Sequence, residues 1–284
     1  MAQRWTTHGV ELRPDSVHKR FRPDSDGDPE REWRALTLLD RHAPGLAPRP
    51  LARADGAVTM SRLPGTVLRG TELTDDRLAA LARALHRLHG AVPAAEAARL
   101  PRRRWDVGES AAAVRARAGA VRGAAARRAL TAGLRWLDGA QDGLCAGESS
   151  SVPVLGQADG NLANALWDGA DVRLVDFEDS GRSDRPYELA ETVEHVSAWA
   201  EGGLDAGAFL ARFGLSPPSG CGCWSAAACS PCCGWCSSPP TPRRRPATRP
   251  APGSARRCGC STCSTGPAER ARQPGRLFSS TTLV

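Results

Sequence analysis

The sequence feature that most constrains the fold is the stretch from Val154 to Ala190, which is VLGQADGNLANALWDGADVRLVDFEDSGRSDRPYELA. A short apolar run leads into a polar loop, and two further apolar runs, Ala165 to Trp167 and Val172 to Val175, flank an Asp168-Gly169 pair. An Asp-Gly pair between two apolar runs is a strong signal for a β-hairpin. The pattern therefore predicts two strand ends and one loop that meet in a small polar region.

Three side chains of this region have a spacing typical of phosphoryl-transfer sites. Asp159 lies in the polar loop, Asn164 follows five residues later, and Asp176 comes directly after the hairpin. In such sites the first carboxylate acts as a base, while the amide and the second carboxylate hold Mg²⁺. The alternative interpretation is that Asp159 and Asn164 form a polar turn and that Asp176 caps the end of a strand. The phosphoryl-transfer interpretation therefore needs further parts of an ATP site from elsewhere in the chain.

The only lysine, Lys19, lies in a strand-like segment near the start, whereas every other residue among the 38 Lys and Arg is arginine. This contrast suggests a position at which a guanidinium group does not fit. A helix is predicted to begin after Asp28, with Pro29 at its first position. Glu32 lies on the apolar face of that helix, and a buried carboxylate needs a partner. We expect Lys19 to pair with Glu32, with Glu30 as the fallback, and to position phosphates. The alternative is a surface pair in which Glu32 points outward.

The segment from Ala57 to Leu63 has the composition of a short strand and runs into Pro64-Gly65. Its position before a helical region predicts a hinge whose backbone groups near Met60 to Arg62 bind adenine. An edge strand followed by a turn is an equally simple interpretation. Helical patterns dominate after this point, and a helix with Ser183 or Asp184 as its N-cap is expected to continue to about Ala200.

With these residues in place, the chain resembles the aminoglycoside phosphotransferase and choline kinase group of small-molecule kinases. The family's catalytic loop, H-G-D-x-x-x-x-N, corresponds to Gln157 to Asn164, and its V-D-F metal motif to Val175 to Phe177. The segment from Leu85 to His89 matches the family's L-x-x-L-H helix. The resemblance implies an α+β, protein-kinase-like fold with two lobes. A small strand-containing N-lobe would comprise residues 1–65, and a mainly helical C-lobe residues 66–216.

The resemblance also implies an ATP- and Mg²⁺-dependent transfer of the γ-phosphoryl group to a hydroxyl of a small molecule, such as an aminoglycoside or a choline-like amine. Asp159 would be the base for the acceptor hydroxyl, Asn164 and Asp176 would hold Mg²⁺, and Lys19 would bind the phosphates. These groups suffice in principle, because this chemistry depends mostly on positioning and on charge neutralisation.

Two departures from the family pattern favour a different class of function. Gln157 replaces the family's histidine, and no Gly-rich phosphate loop precedes the lysine strand. The alternative is therefore a catalytically impaired, pseudokinase-like protein that binds a ligand without turnover. Glu178, Asp179 and Glu188 are acidic groups that could attract a cationic acceptor, although Glu188 could equally face solvent. The acceptor itself and the oligomeric state are left open by the sequence.

The charge and the cysteines are concentrated after Pro217. The tail from this residue has nine Arg and one Glu, a charge of about +8, and nine of the ten cysteines. The preceding residues carry the remaining 29 basic and 30 acidic groups, so a basic surface for nucleic acid is not expected. No apolar run is long enough for a membrane span, and the start does not resemble a signal peptide. The body therefore indicates a cytoplasmic protein without a nucleic-acid or membrane partner.

Two interpretations of the tail, residues 217–284, follow from its composition. Its cysteine clusters permit a zinc site, but no histidine lies nearby and no strand or helix pattern frames them. Back-translation with a frame shifted by two bases instead gives Leu-rich helical patterns, which predicts that the reading frame departs from the family's near Ser216. A segment of this composition cannot bury a core, so we expect it to be poorly ordered.

Overall fold

The computed structural model describes residues 8–23, 27–201 and 203–215. These residues all fall within one compact unit. The predictions for the tail, namely the frame change near Ser216, the zinc alternative and the poor order, lie outside the described residues.

A four-stranded antiparallel sheet forms the N-terminal part, with the strands in the order β1-β2-β4-β3. Its strands are β1 (Gly9–Leu12), β2 (Ser16–Arg20), β3 (Pro50–Ala54) and β4 (Ala57–Ser61). Lys19 lies in β2, as expected. β4 is paired on both sides, so the edge-strand alternative for this segment is wrong. Asp55 and Gly56 both have positive φ values and join β3 to β4 in a tight hairpin.

Helix α1 (Pro29–His42) covers this sheet and begins as predicted. The side chain of Asp28 accepts a hydrogen bond of 2.8 Å from the N–H of Glu30, and Pro29 takes the first turn, where no N–H is needed. Glu32 and the fully buried Leu36 lie on the same inner face of the helix. The predicted placement of a carboxylate on the apolar side of α1 is thus confirmed.

Helices make up most of the remaining described chain. They are α2 (Asp75–Ala91), α3 (Ala94–Ala97), α4 (Val107–Arg117), α5 (Ala124–Ser150), α6 (Arg185–Glu194) and α7 (Ala206–Ala211). The expectation that α6 continues to about Ala200 is wrong. His195 has φ −63° and ψ 139°, outside the helical region, and a π-helical turn at Ser197–Glu201 follows. None of the described helices combines the length and the apolar character required to cross a bilayer.

Short strands between α5 and α6 position the polar loops. β6 (Pro153–Gly156) pairs with β9 (Gly181–Asp184), while β5 (Thr66–Val67), β7 (Ala165–Trp167) and β8 (Val172–Leu174) form a second small sheet. The β7–β8 hairpin confirms the prediction from Asp168-Gly169. Because β6 and β9 flank this hairpin in the chain, the loop before β7 and the loop after β8 are held at the same place. The α+β, protein-kinase-like architecture of the sequence prediction is confirmed, whereas its division at residue 65 stays a prediction.

Candidate active site

Lys19 is the centre of a buried ion cluster that joins β2 to α1 and to the loop after β8. Its side chain is 0% exposed. The Nζ atom lies 2.8 Å from Oε2 of Glu32, 2.6 Å from Oδ1 of Asp176 and 2.6 Å from Oε2 of Glu178. The expected pairing of Lys19 with Glu32 is therefore present, and Asp176 belongs to the same cluster.

The second oxygen of Glu32 connects α1 to the metal motif. Oε1 accepts a hydrogen bond of 3.2 Å from the backbone N–H of Phe177, whose ring is fully buried. Glu32 thus accepts hydrogen bonds from the ammonium group and from the loop after β8 at once. A carboxylate that is buried and satisfied in this way fixes both partners in position.

The charges of the cluster depend on each other. Burial alone would lower the pKa of Lys19, but Asp176, Glu32 and Glu178 raise it well above its ordinary value. Burial raises the pKa of Asp176 to about 7, although Lys19 acts in the opposite direction. Three carboxylates thus surround one ammonium group, and this local shortage of positive charge favours the binding of a further cation.

Glu178 is a member of this cluster that the sequence did not assign to it. Besides Lys19, its Oε2 lies 2.7 Å from Nε2 of His8, which is itself buried against the ring of Phe21. Burial would raise the pKa of Glu178, but His8 and Lys19 lower it to about 2. A Cβ at Gly27 would come within 2.8 Å of the Glu178 carboxylate, so the chain has to pass this point without a side chain. Glu178 is thus occupied in the cluster, which corrects the expectation that it is available to a cationic acceptor.

Asp159 and Asn164 lie together in the loop between β6 and β7. Nδ2 of Asn164 donates a hydrogen bond of 2.8 Å to Oδ2 of Asp159, and the N–H of Asn161 donates one of 3.0 Å to Oδ1. Asp159 is the more accessible of the pair, with 17% of its side chain exposed, whereas Asn164 is 1% exposed. A carboxylate that is fixed by hydrogen bonds within its loop and is partly exposed to solvent is suited to accept a proton from a bound hydroxyl group.

The pKa of Asp159 is raised to about 8. Burial is the largest cause, and the negative charges of Asp176 and Glu191 act in the same direction. The hydrogen bonds from Asn161 and Asn164 lower the pKa but do not cancel these effects. A pKa near 8 places this group in the range that suits a general base at neutral pH.

The hairpin brings Asp176 to this loop. The N–H of Val175 donates a hydrogen bond of 3.0 Å to the carbonyl of Asn164, which extends the β7–β8 pairing by one step. Asp176 then adopts φ +68°, a conformation that residues with a Cβ rarely take. This turn lets the next residue, Phe177, reach Glu32 while Asp176 reaches Lys19.

Glu188 holds the backbone of the catalytic loop, which is a role the sequence did not reveal. Its Oε2 accepts hydrogen bonds of 3.0 Å from the N–H of Gln157 and 3.3 Å from that of Ala158. Ala158 has φ +68°, a strained value for alanine. On its other side, Oε1 of Glu188 lies 2.6 Å from Nη1 of the buried Arg103, which also binds Glu191. Glu188 is therefore buried and paired, and the alternative that it faces solvent is wrong.

Met60 and Arg62 lie at the end of β4. Met60 is buried in the core and sits opposite Val17 in the sheet. The N–H of Arg62 donates a hydrogen bond of 3.0 Å to the carbonyl of Asp15, so a nucleotide base would need other backbone groups or would displace this bond. Adenine binding at this segment stays a prediction.

A magnesium ion fits the donor set of the two loops. Oδ1 of Asn164 is buried and has no hydrogen-bond partner among the described residues. A buried acceptor without a partner is costly, and oxygen atoms of amides and carboxylates are the ligands that Mg²⁺ prefers. Asp176, on the other side of the β7–β8 hairpin, would supply the carboxylate. These two residues would hold the ion, and their role as metal ligands stays a prediction.

The fold is similar to that of several solved small-molecule kinases. A choline/ethanolamine kinase family protein from Mesorhizobium loti is 16% identical, with a TM-score of 0.56, over 75% of this chain and 68% of that one. Choline kinase LicA from Streptococcus pneumoniae and a spectinomycin phosphotransferase in complex with ADP and spectinomycin are each 13% identical. Both have a TM-score of 0.53, over 77% of this chain and 74% of theirs. At these identities the likeness concerns the fold.

The family of this chain is shown by a comparison of its sequence with family models. No curated protein matches the chain. A family model described as the phosphotransferase enzyme family matches residues 3–221, which is more than three quarters of the 284 residues. This range contains the Lys19 cluster, the Asp159 loop and the Asp176 turn. The chain therefore belongs to the phosphotransferase enzyme family.

Proposed function

We propose that this protein transfers the γ-phosphoryl group of ATP to a hydroxyl group of a small molecule, with Mg²⁺ as the metal. The observation that carries the proposal is that the β7–β8 hairpin joins the loop of the Asp159–Asn164 pair to the loop of Asp176, which contacts Lys19 of β2. Relatives of the same fold have been solved with ADP and with spectinomycin, which supports a nucleotide and a hydroxyl-bearing acceptor here.

Each residue has a separate task in this reaction. Asp159 accepts a hydrogen bond from the acceptor hydroxyl and takes its proton as the phosphoryl group is transferred. Asn164 keeps Asp159 in place through Nδ2 and offers its free Oδ1 to the metal. Lys19 exchanges part of its contact with Asp176 and Glu178 for contact with the phosphates, while Glu32 holds its position. Mg²⁺, held by Asn164 and Asp176, would supply positive charge that neutralises the phosphates.

A catalytically impaired ligand-binding protein is the second candidate, because Gln157 stands where the family has a histidine. Nε2 of Gln157 donates a hydrogen bond of 2.6 Å to the carbonyl of Val175. The residue that replaces the family's histidine thus supports the metal loop from its own side of the site. This bond maintains the loop geometry whether or not turnover occurs.

Magnesium-dependent consumption of ATP tests the proposal. Hydroxyl-bearing amines, amino sugars and aminoglycosides would be screened as acceptors, with Asp159→Asn as the matched control because it keeps size and shape but removes the base. We expect acceptor-dependent turnover in the wild type, its loss with EDTA, and a fall of about 100-fold or more in the variant. Equal turnover in the wild type and in Asp159→Asn would contradict the proposed enzymatic function. Nucleotide binding without turnover in either identifies the impaired relative.

A further inference from the structure

Arg31 lies on α1, one residue before Glu32, and has no task in the reaction described above. Its Nη1 donates hydrogen bonds of 2.6 Å to the carbonyl of Arg102 and of 2.9 Å to the carbonyl of Ser180. Its Nε lies 3.5 Å from Oδ2 of Asp28, the N-cap of the same helix, and the side chain is 18% exposed. Hydrogen bonds from a charged donor are stronger than those between neutral groups. One side chain thus ties the start of α1 to two distant segments.

The first of these segments is the turn that follows Asp176. The N–H of Ser180 donates a hydrogen bond of 3.1 Å to the carbonyl of Phe177, which closes the turn. At the start of the turn, the N–H of Phe177 is bound by Oε1 of Glu32. At its end, the carbonyl of Ser180, a residue that is 2% exposed, is bound by Arg31. Two consecutive residues of α1 therefore hold both ends of the turn beside the proposed metal ligand.

The second segment pairs with β9 and supports the catalytic loop. Arg102 forms a single bridge with Arg182 of β9, and the N–H of Arg103 donates a hydrogen bond of 3.1 Å to the carbonyl of Arg182. The guanidinium of Arg103 in turn binds Glu188, which holds the backbone of the catalytic loop. The bond from Arg31 to the carbonyl of Arg102 therefore fastens α1 to a part of the chain that is itself fixed.

We propose that Arg31 is a positioning residue of the nucleotide site, and that it holds α1 against the turn after Asp176 so that Glu32 keeps Lys19 in place. Lys19 is bound by Glu32 of α1 and by Asp176 at the turn, so a displacement of α1 from the turn moves the ammonium group. A displacement of about 1 Å can lower turnover by about 100-fold. The catalytic meaning of this inference rests on the proposed function, whereas the contact itself rests on the hydrogen bonds.

Two matched variants separate this contact from other effects of an arginine on α1. Arg31→Met removes the donors and keeps a long, unbranched side chain that helices accept well. Arg34→Met makes the same chemical change one turn further along the same helix. Arg34 is half-buried and, within the described part of the chain, has neither a hydrogen bond nor an ion pair. A loss that occurs only in Arg31→Met therefore belongs to the bonds with the two carbonyls.

Steady-state kinetics of ATP turnover give the first test. We expect Arg31→Met to lower kcat/KM for ATP about tenfold or more, with the KM for the acceptor within about twofold, because Lys19 acts on the phosphates. Arg34→Met should stay within about twofold of the wild type. An unchanged kcat/KM in Arg31→Met, or an equal loss in Arg34→Met, overturns the proposal. So does a loss that disappears when the assay temperature is lowered well below the melting temperature of the variant.

Hydrogen exchange followed by mass spectrometry gives a test that needs no turnover. In Arg31→Met we expect peptides from α1 and from the turn after Asp176 to exchange about tenfold faster, while peptides from α2 exchange as in the wild type. Arg34→Met should leave the turn unchanged. Unaltered exchange at the turn in Arg31→Met, or an equal increase in α2, overturns the contact. A wild type without turnover refutes the proposed function instead, and the exchange rates then decide whether Arg31 holds α1 against the turn.

Discussion

The buried contact between Glu188 and Arg103 leads to a quantitative prediction for Glu188→Gln. The wild-type carboxylate accepts the N–H groups of Gln157 and Ala158 on one side and the guanidinium of Arg103 on the other. An amide of the same size has one oxygen and one NH₂ group. In either orientation the NH₂ group faces hydrogen-bond donors, either the two backbone N–H groups or the guanidinium of Arg103. One of these two sets of hydrogen bonds is therefore lost.

The cost follows from the burial of both ions. Glu188 is 6% exposed and Arg103 is 1% exposed. Removal of one charge from a buried pair costs about 3–5 kcal/mol, because the remaining charge is left without its partner. Arg103 keeps Glu191, which accepts hydrogen bonds of 2.8 Å from Nη1 and Nη2. Because the Arg103–Glu191 pair remains, we expect the free energy of unfolding to fall by about 3 kcal/mol, the lower end of this range.

Glu191→Gln is the matched control, because Glu191 lies on the same helix and binds the same arginine. Glu191 is 26% exposed, so water can replace part of what is lost, and Arg103 keeps Glu188. We expect this variant to cost about 1 kcal/mol. Guanidinium unfolding of the full chain measures both losses, and equal slopes show that the comparison is valid. Equal destabilisation by the two substitutions would refute the argument from burial.

The same variant should affect turnover at temperatures at which it is fully folded. The strained φ of Ala158 costs about 1–2 kcal/mol and persists only while the surroundings hold it. Loss of the acceptor for Gln157 and Ala158 lets this strain relax next to Asp159. A displacement of the base of about 1 Å can lower kcat by about 100-fold. Glu191→Gln leaves both N–H acceptors in place and should not show this loss.

Four further outcomes are expected. Asp159 has a folded pKa of about 8, above its ordinary value, so the folded chain binds the proton more tightly; stability should fall between about pH 4 and 8, and Asp159→Asn should flatten this slope in thermal unfolding. Lys19→Arg should lower ATP turnover by about 100-fold or more, since the larger guanidinium does not fit among three carboxylates, and Lys19→Met should be no worse. Asn164→Ala should raise the Mg²⁺ concentration for half-maximal ATP turnover by about tenfold or more, whereas an unchanged titration would contradict a metal ligand. Sequencing of the gene across Ser216 should reveal the second frame, and an intact frame with the tail confirmed by mass spectrometry would disprove it.

The sequence predicted the parts of the site that depend on local patterns. Asp168-Gly169 defined the β7–β8 hairpin, and Asp28-Pro29 defined the start of α1, which fixed the face on which Glu32 lies. Lys19 was recognisable because it is the only lysine. These signals come from turn geometry, helix capping and residue type, which act within a few residues of the chain.

The missed parts depend on contacts between distant segments. β9 is polar, Gly181–Asp184, and forms a strand only because β6 offers its edge. Glu188 resembles any acidic residue of a helix, and Arg103 is one of many arginines, so only the folded chain brings them together. β3 was also missed, although Asp55-Gly56 between β3 and β4 is a hairpin signal that local sequence patterns could have provided.

The complete burial of Lys19 has a practical consequence for studies of this protein. Because the chain has no other lysine, an acylating reagent for side-chain amines has one target, and that target lies where the sheet, α1 and the Asp176 turn meet. The reagent can reach Lys19 only when these parts separate. The rate at which an acyl group appears on the peptide that contains Lys19 would therefore report how often these parts separate, and a nucleotide bound beside Lys19 would slow the labelling without any engineered probe.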